Sequence, residues 1–479
     1  MKSFLCFFMT LLLWHTLSAQ SIQTVDQAKA ALSKMQYGKA LQLLQSDTAT
    51  GVITGQEAIY LEGEINLMLG KDLFLKNLQQ LDSLGADTHA DILRAKYALF
   101  IGVDSADEII SRLLQKYPEN SELPYCQWLL ALKQGRYSYC KSSAADVSEN
   151  LIFPFAPYLA LYNVAWDNNF DDAISYLDSI EMQVGSFYES KYRKLIKLQQ
   201  NIQVESSSDE LLELPYAQCG PGMGILLTDS RGDTIKMELD TGTGYSWMTI
   251  HDSASGSNLP GKDTLTIKNG ISYNYMNHPR DFHFKLTDFK KPFYENLLVG
   301  YFNGRFSKAD GCFSPFFFPH HAIQFDPLNE KVYFRTASNL AKYKKQYQGR
   351  ITSVPYVIRN GWIFIPCKVN QKTVLMMVET GSRDVNFNRL AATYLDLPVY
   401  DGFVRWRGKD YPTKKVDCTI EIGEELIYEV KGGLVNDFVL GNHYYGLASA
   451  GDLGPDFFKN YVFTIDPFNR EIIFEQPKH

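Results

Sequence analysis

Ile235-Lys236-Met237-Glu238-Leu239-Asp240-Thr241-Gly242 and Val374-Leu375-Met376-Met377-Val378-Glu379-Thr380-Gly381 are the stretches whose reading decides the fold. Each is an apolar strand that runs into an acid, a threonine and a glycine, and the two acids stand 139 residues apart. In the first, Ile235, Met237 and Leu239 alternate with Lys236 and Glu238, the period-2 pattern of a strand with one buried face. A glycine two residues after the acid permits a sharp turn that a Cβ would obstruct. A second repeat follows at almost the same offset. Ala322 to Phe334 reads AIQFDPLNEKVYF and Val462 to Phe474 reads VFTIDPFNREIIF, 140 residues on. Both hold an Asp-Pro-x-Asn turn between apolar runs, which is hairpin chemistry. Pro315-Phe316-Phe317-Phe318 and Pro455-Asp456-Phe457-Phe458 precede them at matching positions. The same motifs in the same order predict a duplicated β unit with lobes at 213–345 and 346–479.

Each lobe enters its acid through a strand, a turn and a strand: Ile225 to Thr228, Asp229 to Asp233 and Ile235–Leu239 in the first, Trp362 to Val369, Asn370-Gln371-Lys372 and Val374–Val378 in the second. Thr243 and Ser382 add a hydroxyl at corresponding places. Lobe two continues into Leu390-Ala391-Ala392-Thr393-Tyr394-Leu395 and later Leu453-Gly454-Pro455-Asp456-Phe457-Phe458. These residues, about 265 of the 479, resemble the pepsin/retropepsin-type aspartic peptidase family, in which each lobe or subunit contributes one Asp-Thr/Ser-Gly loop. The resemblance implies a two-lobe β-barrel fold and peptide-bond hydrolysis by Asp240 and Glu379 through a water held between them, without a metal or cofactor. Thr241, Gly242, Thr243, Thr380, Gly381 and Ser382 would support the loops. It also implies a flap over the cleft, expected within Gly256 to Tyr275, with Gly261, Gly270, Tyr273 and Tyr275.

Two residues depart from the family pattern. Glu379 stands where the second Asp belongs, and its extra methylene displaces the carboxylate by about 1 Å on a fixed backbone, enough to cost roughly a hundredfold in rate. Ser314 aligns with Gly454 and is expected to crowd the first loop. The alternative reading is therefore a catalytically inactive peptidase-like module that binds peptide or protein. Duplicated lobes imply a complete cleft in one chain, hence a monomer. Other signals are weaker. Gly220-Pro221-Gly222-Met223-Gly224 precedes a strand and reads as a lobe-entry turn rather than a phosphate cradle. His320-His321 has no third ligand at suitable spacing and reads as an exposed turn.

Residues 21–205 change period. Ala28-Leu32-Met35 and Ala40-Leu43-Leu44 recur at spacings of three and four, and short breaks such as Gln36-Tyr37-Gly38 and Leu69-Gly70-Lys71 punctuate them. The segment is expected to be a helical repeat of tetratricopeptide-like, solenoid type, with a plain helical bundle as the alternative, and to offer a surface for a protein partner. The polar, Ser-rich Gln203 to Glu210 reads as the linker. Lys2, the apolar run Phe4 to Trp14 and Leu17-Ser18-Ala19 read as a signal peptide over 1–20, implying export to a periplasmic or extracellular space. No later stretch is long and apolar enough to span a bilayer. Six cysteines then remain, two per unit; pairing as Cys126-Cys140, Cys219-Cys312 and Cys367-Cys418 is the expectation among 15 connectivities, and six buried free thiols the alternative. A net charge of −7 gives no electrostatic reason to expect nucleic acid as a partner.

Overall fold

The computed structural model describes residues 23–32, 36–49, 55–101, 106–134, 136–148, 170–184, 211–228, 234–242, 247–249, 265–269, 273–277, 281–282, 297–298, 300–302, 309–314, 321–359, 362–381, 384–406, 409–436 and 449–476. The signal segment, the 203–210 linker, Thr243, Ser382, His320 and the glycines of the expected flap lie outside the described residues.

An N-terminal helical region is followed by mixed β-sheets. The helices are α1 (23–32), α2 (Tyr37–Ala49), α3 (Gln56–Met68), α4 (Leu73–Ser83), α5 (Asp87–Ile101), α6 (Ala106–Lys116), α7 (Leu123–Lys133), α8 (Tyr137–Ser148) and α9 (Phe170–Val184). α6 buries Ala106, Ile110 and Leu113, a stripe at spacings of four and three, and leaves its acids and lysine in solvent. α5 buries residues from Ala90 to Ile101 on several faces, as a helix with neighbours all round must. None of the described helices is long and apolar enough to cross a membrane.

One buried charge cluster pins α3, α5 and the start of α7. Lys96 Nζ donates to Glu64, to Glu122 Oε2 at 2.5 Å and to Tyr60 Oη at 2.8 Å. Burial and the neighbouring Glu122 push the Glu64 carboxyl up to about 7 against the pull of Lys96. Lys96→Met leaves two buried carboxylates without their cation, so a loss of about 3–5 kcal/mol is expected in urea unfolding at pH 8. The loss should shrink toward pH 6, because without the pull of Lys96 the folded variant protonates Glu64 at a higher pH than the folded parent, where it rises only to about 7.

In the β part, β1 (Leu211–Cys219), β2 (Gly222–Thr228) and β3 (Thr234–Leu239) form a meander, with Gly220 at positive φ in the first turn. After β4 (Trp247–Thr249) come the hairpin of β5 (Leu265–Asn269) and β6 (Tyr273–Asn277) and the small pair β7 (Asp281–Phe282) and β8 (Leu297–Leu298). β9 (Gly300–Phe302) and β10 (Gly311–Phe313) return to the sheet, and β11 (Ala322–Asp326) and β12 (Lys331–Arg335) form the first Asp-Pro hairpin. Helix α10 (Ala337–Gln346), capped by Thr336, leads to β13 (Arg350–Pro355). The second half holds β14 (Val357–Arg359), β15 (Trp362–Val369), β16 (Lys372–Val378), β17 (Asn386–Asn388), helix α11 (Arg389–Tyr394), β18 (Tyr400–Trp406), β19 (Lys409–Ile422), β20 (Leu426–Asn436), β21 (Gly451–Leu453), helix α12 (Pro455–Phe458), β22 (Val462–Asp466) and β23 (Glu471–Gln476).

The strand order is the same in both halves. β2-β3-β10-β4-β9 and β15-β16-β21-β17-β20 run through the same succession of antiparallel, parallel, antiparallel and parallel pairings. The β5–β6 hairpin falls in the stretch expected to hold the flap, and β18–β19 is its counterpart. The β15–β16 turn places Asn370 and Gln371 at positive φ, as a two-residue hairpin demands. The halves join through β11 and β22, where Gln324 faces Thr464 and the rings of Phe325 and Phe463 stack with centroids 4.7 Å apart. This seam continues into a single sheet ordered β13-β23-β22-β11-β12-β1.

The helical region seats on the second half. The Tyr97 hydroxyl on α5 donates to the Leu390 carbonyl of α11, Tyr97 meets Tyr394 edge-on at 6.1 Å, and Arg389 pairs with Asp72 at 2.8 Å. Two expectations are corrected. Cys126, Cys140, Cys219, Cys312, Cys367 and Cys418 are free thiols, so the Cys126-Cys140, Cys219-Cys312 and Cys367-Cys418 bridges are not formed. The Cys140 thiol instead donates to the Trp128 carbonyl and the Cys367 thiol to the Ile365 carbonyl. His321 is buried, directly ahead of the fully buried β11, and is not part of an exposed turn.

Candidate active site

Strand β3 ends at Leu239 and β16 at Val378, so Asp240 and Glu379 leave the sheets at the same step of the pattern. The adjoining parallel strand fixes each start: Asp240 N donates to Phe313 O and Glu379 N to Leu453 O, both at 3.0 Å. The equality bears on Ser314. It is fully buried, yet the first loop is hung from its strand at the same distance as the second, so the expected crowding does not displace it. Gly454 has φ −88° and ψ 178°, extended backbone open to any residue, so a serine at the corresponding place meets no backbone penalty.

The two loops lock through their threonines. Thr241 N donates to Thr380 Oγ1 and Thr380 N to Thr241 Oγ1, each at 3.0 Å. The hydroxyls pass their own hydrogens across the interface, Thr380 to Leu239 O at 2.6 Å and Thr241 to Val378 O. Both side chains are wholly buried, so every polar atom here depends on its partner in the other loop. Met223 N donates to Thr380 O at 3.0 Å, and Trp362 Nε1 to Gly242 O at 2.7 Å, further ties between the halves.

Each acid then folds over its own loop. Asp240 Oδ1 accepts from Gly242 N at 2.7 Å, and Glu379 Oε1 from Gly381 N at 2.9 Å. The two carboxyls are close enough for a hydrogen bond between them to act on the proton affinity of each. Each packs on the other loop's glycine. A Cβ on Gly381 would stand 2.4 Å from Asp240 Cγ, and one on Gly242 only 1.7 Å from Glu379 Oε2. The extra methylene of Glu379 is thus taken up in the space above Gly242, a position where no other residue fits.

Electrostatically the site is a nest of acids. Burial pushes the Asp240 carboxyl above its ordinary range, against the hydrogen bonds from Glu379 and Gly242 that pull it down. Burial, then the charge and hydrogen bond of Asp240, push Glu379 well up, and Asp452 adds to this. Glu238 rises to about 9 through burial and Asp240, and Asp452 to about 7 through burial. Among the described residues no lysine or arginine pairs with any of the four. Two adjacent, buried carboxyls without a cation hold one proton between them, which makes one a hydrogen-bond donor and the other a base.

The structure thus brings together Asp240, Thr241, Gly242, Glu379, Thr380 and Gly381 as expected from sequence. Glu238 and Asp452 were missed as neighbours of the pair. The first was legible: it stands only two residues ahead of Asp240, at the end of the strand that delivers it. No family model matches this chain, and no curated protein matches it significantly.

Proposed function

We propose that the β part is a two-lobed aspartic-type endopeptidase that resembles the pepsin/retropepsin family, built from a duplicated barrel, and that residues 21–205 are a helical repeat presenting a partner or substrate to it. The observation that carries the reading is the hydrogen-bonded Asp240–Glu379 pair at the centre of two cross-locked acid-Thr-Gly loops. In this reading the ionised member of the pair takes a proton from a water between the loops, and the protonated member donates to the scissile carbonyl. The tetrahedral intermediate then collapses with loss of the amine. The hairpins β5–β6 and β18–β19 flank the cleft, the first acting as flap, and the chain works as a monomer exported to the periplasm or beyond.

Digestion of a peptide library by the full chain over pH 3–8, beside its Asp240→Asn variant, tests this; no Asp240-dependent cleavage at any pH would reject it. The competing reading, a silent peptide-binding module, is favoured by Glu379 standing where the second Asp belongs, and requires peptide capture without cleavage. Glu379→Asp separates the two. The shorter acid withdraws from Gly242, and a loss of about a hundredfold in kcat/KM is expected. A gain of cleavage over an inert parent would instead mark a decayed site.

A further inference from the structure

We propose that Glu238, Asp240 and Cys312 form a binding site for one thiophilic divalent cation of the zinc class, on the first-lobe side of the carboxyl pair. One ligand atom from each lies within 4.8 Å of the others. The placement follows from the strand pairing. Glu238 is the penultimate residue of β3, Asp240 follows the strand's end, and Cys312 on the parallel strand β10 is the register partner of Glu238. Zinc bonds of about 2.0–2.3 Å set tetrahedral donors roughly 3.3–3.8 Å apart, a contraction within reach of carboxylate rotation.

What points to a ligand is the state of Glu238. It is only 5% exposed, accepts no hydrogen bond from any described residue and pairs with no described lysine or arginine. A buried carboxylate ordinarily finds a donor or a cation. Space has been made for this one: a Cβ on Gly222 would stand 1.8 Å from Glu238 Oε1. The donor set of two carboxylate oxygens and one thiolate suits a borderline-soft cation over magnesium or calcium, and it leaves a fourth position to water. The second lobe lacks the set, since Met377 and Asp452 stand where the first has Glu238 and Cys312. A cation here holds Asp240 ionised and withdraws it from proton sharing with Glu379. On the peptidase reading zinc is therefore an inhibitor, although binding itself stands apart from that reading.

Cobalt(II) titration of the reduced full-length chain tests the site. The expected result is a thiolate-to-cobalt charge-transfer band saturating at one equivalent and displaced by zinc. Cys312→Ser should abolish the band, and Glu238→Gln should weaken cobalt binding at least tenfold by calorimetry. Cys418→Ser, at a partly buried thiol outside the cluster, should leave the band in place. A folded wild-type chain without the band overturns the proposal by itself, as does a band of unchanged intensity in Cys312→Ser or unchanged affinity in Glu238→Gln. In a cleavage assay, inhibitory zinc should be needed at tenfold or greater excess over wild type for Cys312→Ser. A chain that shows the band but cleaves nothing supports the metal site while the peptidase reading falls.

Discussion

Asp240→Asn is expected to lower kcat by on the order of 10^4-fold on any peptide the parent chain cuts, while the peptide still binds. The amide is close to isosteric and can keep the bond from Gly242 N, but it cannot share a proton with Glu379 or serve as base. Single-turnover cleavage beside equilibrium binding of the same peptide separates the two effects. Retained turnover would remove Asp240 from the chemistry. The pH profile carries a second signature. Activity needs one proton on the pair, and both carboxyls sit above their ordinary range. The alkaline limb should therefore fall above the usual carboxylate range, since the last shared proton leaves late, and the acid limb appears where the base member becomes protonated.

Thr380→Val should destabilise the β part by about 2–5 kcal/mol in urea unfolding. The substitution conserves shape but removes an acceptor for Thr241 N and a donor to Leu239 O, stranding two polar groups where neither reaches water. Thr241→Val should cost a similar amount through Thr380 N and Val378 O. The double variant should cost less than the two together, because each threonine's bonds run to the other loop and cannot be lost twice. Thr380→Ser keeps the hydroxyl and should recover most of the loss. A Thr380→Val chain within about 0.5 kcal/mol of the parent would mean that the loops are held by something other than this lattice.

Much of this arrangement was readable beforehand because the β part repeats itself. The alternation in Ile235–Leu239, the Asp-Pro-x-Asn turns and the two acid-Thr-Gly triplets are local signals, and β3, β11–β12, β16 and β22–β23 fall where those signals place them. Long-range consequences were harder. In the seam's sheet β23 pairs locally with β22, but its other edge meets β13 and β11 meets β22 across more than a hundred residues, which no window of sequence contains. The cysteine expectation erred because even numbers and spacing say nothing of which sulfur meets which backbone carbonyl. Glu379 and Ser314 looked like damage when judged against the pattern alone. The space over Gly242 and the extended backbone at Gly454 show that the surroundings accommodate both.

The position of β23 also bears on how the protein comes to be made. This strand, at residues 471–476, lies between two others, so the seam between the halves stays incomplete while the ribosome still holds that stretch. Strand pairing over such separations is slow, and the unfinished halves expose strand edges in the meantime. β13 and β22 emerge earlier, but they are joined into one sheet only when β23 has left the ribosome and come between them. The two acid loops are thereby without the completed seam until residues 471–476 have emerged.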